Sequence, residues 1–121
     1  MESLYIALAI LSGLIFLAAG LTKALGKREA LLPRMAWMAD FPPVVVRLIG
    51  VAEALGGVAL IVSPWVLPVL GFVAAICLAV TMILAIVVHL RRREGREVLP
   101  AVVLLVLLAV LIVIGASGVI A

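Results

Sequence analysis

Four apolar runs, over residues 5–25, 44–62, 67–90 and 98–120, occupy most of the chain. Each is close to the roughly 20 residues an α-helix needs to cross a bilayer. They predict an all-α fold: an integral membrane four-helix bundle of up-down topology, with residues 1–121 as a single membrane domain. Composition agrees, because 69% hydrophobic and 12% charged residues with a mean hydropathy of +1.53 lie far outside the range of soluble domains. The opening Met1-Glu2-Ser3-Leu4 carries an acid where a secretory signal has basic residues, so the first helix is expected to stay in the mature protein.

The net charge of +3 reflects topology and not a nucleic-acid partner. Lys27, Arg28 and Arg34 fall in the first loop, with Lys23 and Arg47 at its borders, and Arg91, Arg92, Arg93 and Arg96 fall in the third. By the positive-inside rule both loops are cytoplasmic and both termini extracytoplasmic. The chain is then a multi-pass protein of the cell (inner) membrane.

Small residues mark where helices meet. Ser12, Phe16, Ala19 and Lys23 share one line of the first helix, with Gly13 and Gly20 beside it. Ser3 is placed to cap this helix, and Glu2 to complement its dipole. In the second, Gly50, Ala54 and Gly57 form a stripe that lets another backbone approach, inside the bundle or across a homo-oligomer contact. Gly71, Ala75, Leu78, Met82, Ala85 and His89 make one broad face of the third. The fourth reads as a lipid-facing wall, with Gly115, Ser117 and Gly118 the only hints of close packing.

Between the first two runs, residues 27–43 mix charges with Leu31, Leu32, Met35, Trp37, Met38 and Phe41, which predicts a short interfacial helix over about residues 33–41, halted by Pro42 and Pro43. Ser63, Pro64, Trp65 and Pro68 predict a tight outer turn, and Gly95 a reversal in the third loop. The basic third loop also suits anionic headgroups. Cys77, the lone cysteine, reads as a packed, inert thiol.

The chain contains no CxxC, HExxH or phosphate-binding glycine loop, and one histidine cannot form a bis-histidine haem site. No metal site and no catalytic residue is expected. What stands out is RLIGVAEALGG at residues 47–57, which sets Arg47 and Glu53 in a membrane span. These two lie about 120° apart around the helix axis, so they do not pair with one another. Glu53, about 14 Å along the helix from Val44, needs a partner on another helix, because a charge near the bilayer centre costs at least about 2.5–3.5 kcal/mol. Lys23, Arg47, Glu53 and His89 form the candidate polar cluster. It is either a structural ion-pair network fixing helix registry or a pocket for a headgroup, a quinone or a proton.

Three stretches are recognisable: FLAAGLTKALG at residues 16–26, IGVAEALGGVALIV at 49–62, and TMILAIVVHLRRRE at 81–94, followed by Pro100 and an apolar helix. They resemble the DoxX-like family of small four-helix membrane proteins, and the match covers nearly the whole chain. Lys23, Glu53 and His89 stand at motif positions, and Arg47 precedes the second motif. The resemblance implies a membrane subunit or accessory protein. The family takes its name from a subunit associated with quinone-linked thiosulfate oxidation, and related proteins are tied to redox-stress complexes and to receptor chaperoning.

Three readings follow. The first is a non-catalytic inner-membrane subunit or accessory protein with a buried polar site for lipid or quinone, working with a membrane-complex partner or as a homo-oligomer. The second is a small proton-coupled transporter, although four-helix multidrug exporters carry their membrane glutamate in the first helix and not the second. The third is the membrane subunit of a quinone-linked oxidoreductase, with Lys23 and His89 donating to the ring carbonyls and a partner flavoprotein supplying electrons.

Overall fold

Two glycine pairs set the closest helix contact. A Cβ built on Gly13 would stand 2.6 Å from the carbonyl oxygen of Gly57, and one on Gly50 would stand 2.6 Å from that of Gly20. Each pair belongs to antiparallel helices, α1 (Glu2–Leu25) and α3 (Pro43–Val66), whose backbones touch where no side chain intervenes. Ala54 lies in the same seam, against Gly20. The Gly50/Ala54/Gly57 stripe is therefore occupied inside the chain.

The computed structural model describes residues 2–33 and 35–116. Arg34, Ser117, Gly118 and the expected helix end at residue 120 lie outside the described residues, as does the side chain of Glu2. Helices α1, α3, α4 (Pro68–Arg91) and α5 (Gly95–Ile114) are each long and apolar enough to span a membrane. They form a ring in which α1 packs on α3, α3 on α4, α4 on α5, and α5 more thinly on α1. The protein is an all-α four-helix membrane bundle.

Tyr5, Ala9 and Phe16 from α1, Leu60 from α3, Leu78 and Met82 from α4, and Leu108 and Leu111 from α5 share one buried core. Large apolar residues such as Leu48, Leu84 and Val113 face outward, the reverse of a soluble surface. The expected inward face of the third span is present, with Gly71, Ala75, Leu78 and Met82 buried. Cys77, expected to be packed, is exposed on the outer side, because it sits one residue before that inward face turns in. The last span is more than a lipid-facing wall: Ala101, Leu108, Leu111 and Ile114 form an inward stripe.

Several boundaries differ from expectation. α1 already includes Ser3, so this serine is not its cap. The tight outer turn shrinks to one extended residue, Leu67, between two 24-residue helices. Helix α3 runs through Pro64 because the Leu60 carbonyl, which a proline cannot satisfy, accepts a hydrogen bond from Ser63 Oγ at 3.2 Å. Pro43 and Pro68 each stand in the first turn of a helix, where their missing N–H is no loss.

The interfacial segment is a single α-turn, α2 (Arg28–Leu31), followed by a 3-10 helix at Ala36–Asp40. Its apolar residues do not merely lie on a surface. Leu31 and Met38 are buried against Val46 at the start of α3, and Trp37 meets Phe41 edge to face at 5.8 Å. Arg28 Nη2 fastens the segment by donating to the carbonyls of Met38 at 2.9 Å and Phe41 at 3.2 Å.

The reversal after α4 is made at Arg93, whose φ is 59°, and not at Gly95, which is the first residue of α5. Glu94 N–H donates to the His89 carbonyl and Arg93 N–H to the Leu90 carbonyl, the paired bonds of a Schellman ending. An arginine thus holds the left-handed position that glycine usually takes.

Candidate functional site: a buried pair and a loop clasp

Lys23 Nζ donates to both carboxylate oxygens of Glu53, at 2.9 and 3.1 Å. The Glu53 side chain is 3% exposed and that of Lys23 13%. The α1/α3 register explains the contact. The Gly13–Gly57 and Gly20–Gly50 pairs place Lys23 level with Arg47, and Glu53 six residues, about 9 Å, deeper along α3. Side chains lean toward the start of their own helix, so in antiparallel helices Lys23 leans inward while Glu53 leans toward the loops.

Gly50 clears the path between them. A Cβ there would come within 2.8 Å of Lys23 Cβ, so the lysine stem crosses α3 where α3 has no side chain. The packing stripe and the charge pair are one device. Lone burial of either ion in hydrocarbon would be costly, and the two-point contact offsets that cost.

The other two members of the expected cluster stand apart from this pair. Arg47 is exposed and lines a cavity of about 30 Å³ with Lys23, Gly26, Arg28, Met38, Pro43 and Val46. His89 Nδ1 is 3.0 Å from Glu94 Oε1, the link between the first and sixth residues of the Schellman ending, where an apolar contact is usual. The cavity beside Lys23 is lined by residues of α1, α3 and the first loop, and His89 is not among them.

Sequence reasoning passed over a second network. Arg92 Nη1 donates to Asp40 Oδ2 at 2.6 Å, and Arg92 Nε stands 3.2 Å from Glu94 Oε2. Arg92 thereby clasps the 3-10 helix of the first loop to the α4–α5 turn. His89, and then Arg92, hold the Glu94 carboxyl below its ordinary pKa against a smaller opposing effect of burial. Arg92 is raised above its own by the bonds to Asp40 and Glu94. The signal was available: loops predicted to share one membrane side carry opposite charges able to meet. Among the described residues no group of three or more His, Cys, Asp and Glu could hold a metal ion.

Four spanning helices in a ring, with one buried charge pair between the first two, define a small multi-pass membrane protein with a polar seam. The profile of the DoxX-like family matches residues 7–111, and the chain belongs to that family. No curated protein and no solved structure matches the chain.

Proposed function

We propose that the protein is a non-catalytic subunit or accessory protein of the inner membrane, with the first and third loops cytoplasmic. The polar seam between α1 and α3 binds a membrane lipid or a quinone. The observation that carries this reading is the Glu53 carboxylate, on a side chain 3% exposed and held at both oxygens by Lys23. Ionisable groups inside a span are rare and mark binding sites or pathways by default. The small cavity beside the pair gives it access from the loop end, and its cationic wall favours a lipid headgroup over a neutral ring.

Glu53→Gln tests the proposal. Purified in mild detergent, the variant is expected to lose co-purifying lipid or quinone relative to wild type and to melt at a lower temperature. Identical lipid content together with identical thermal stability would contradict the reading.

A further inference from the structure

The cavity at the loop end of the bundle has an imbalance of charge. Lys23, Arg28 and Arg47 line it, and among the described residues no acidic one does. Lys23 is neutralised by Glu53, whereas Arg28 and Arg47 form no ion pair among the described residues. Arg28 is held in place by its Nη2, which donates to the carbonyls of Met38 and Phe41. Its other terminal nitrogen, Nη1, is buried without a hydrogen-bond partner among the described residues. A buried guanidinium N–H with nothing to accept it costs more than an ordinary lost hydrogen bond, so the site lacks an acceptor.

Two further features specify that acceptor. Pro43, the first residue of the 24-residue helix α3, also lines the cavity, and the helix start favours negative charge. Arginine presents a planar fork of donors suited to phosphate oxygens. A volume of about 30 Å³ admits one or two oxygens of such a group and leaves the rest outside.

We propose that the cavity lined by Lys23, Arg28 and Arg47 is a phosphate-binding site, seating the non-bridging oxygens of a phosphate group at the loop end of the bundle. Arg28, fixed by the carbonyls of Met38 and Phe41, supplies positive charge from the cavity wall, Arg47 closes over the group from the exposed side, and Lys23 stays on Glu53. This deepens the lipid reading above and rests on it. The phosphate comes either from a phospholipid headgroup or from free phosphate.

Native mass spectrometry and thermal melting of the purified full chain separate these sources. The probes are dioleoyl phosphatidic acid, dioleoylglycerol with the same chains and no phosphate, and inorganic phosphate against chloride at equal ionic strength. Wild type is expected to retain phosphatidic acid and not dioleoylglycerol. Arg47→Gln, at an exposed side chain with no ion pair among the described residues, is expected to weaken retention about tenfold, the effect of one charge-assisted contact. Arg28→Gln is expected to weaken it at least as much. Stabilisation by inorganic phosphate alone, lost in Arg47→Gln, supports the site and assigns it to free phosphate. Equal retention of dioleoylglycerol, or phosphate and phosphatidic acid binding that neither arginine variant changes, overturns it. Lipid lost in Glu53→Gln but kept in both arginine variants would remove the phosphate site and leave the lipid reading standing.

Discussion

Lys23 reaches Glu53, six residues deeper along α3 than the position level with it, because Gly50 leaves a side-chain-free track across α3 and the two side chains lean toward one another. Helix packing and ion pairing are therefore mutually dependent in this bundle. Substitution of Gly50 by valine is expected to separate the pair as well as the helices. The check is a double-mutant cycle between Gly50→Val and Glu53→Gln, in which the combined loss of stability falls clearly short of the sum of the two single losses.

The α1/α3 seam should tolerate no added volume. Gly57→Val is expected to cost about 1–3 kcal/mol or more in detergent unfolding, since a Cβ at Gly57 already meets the Gly13 carbonyl at 2.5 Å. Gly95→Ala is the control, because nothing lies within 4 Å of the added carbon. Its stability should equal or slightly exceed wild type. Equal losses at the two positions would contradict the close approach.

Arg93 stores backbone strain at φ 59°. Arg93→Gly is expected to stabilise by up to about 1 kcal/mol, because glycine occupies that region freely. Arg91→Gly, inside the last turn of α4, should cost about as much. Both are read from the unfolding midpoint at fixed detergent concentration.

Acid should loosen the α4–α5 turn. Glu94 has its folded pKa below the unfolded value of 4.5, so its contribution is present above that pH and fades as pH falls through the lower folded value. Protection of the Glu94 amide, which donates to the His89 carbonyl, is expected to fall below about pH 4.5 after correction for intrinsic exchange, and the Asp40–Arg92 contact is read separately, in the Ala36–Asp40 segment. Arg92→Gln should raise exchange there at neutral pH, since it removes the Asp40 contact. Glu94 protection that is flat across this range, or Ala36–Asp40 exchange that Arg92→Gln leaves unchanged, would contradict these assignments.

The spans, their order and the small-residue seam were legible in the sequence because hydrophobic length and glycine spacing act locally. The Lys23–Glu53 contact was legible only as one of several pairings. Choosing it required the α1/α3 register, which no single helix encodes. The inward stripe of α5 was hidden because every nearby residue is apolar, leaving no contrast between core and lipid faces. The Pro64 boundary was missed because proline normally stops a helix, and here Ser63 Oγ satisfies the carbonyl that proline leaves free. Arg92 and Asp40 lie 52 positions apart, a contact that only the bundle's closure creates.

The central claim is that the buried pair serves binding and does more than hold the helices in register. Replacement of both charges by apolar side chains, Lys23→Met with Glu53→Leu, tests it most directly, with stability and lipid content measured on the same purified sample. Either single change should cost about 3–5 kcal/mol by stranding a buried charge, while the double change should restore most of that loss. The account predicts a double variant as stable as wild type that no longer retains lipid or quinone. A double variant that is equally stable and carries the wild-type complement of bound molecules would contradict it and leave the pair a purely structural link.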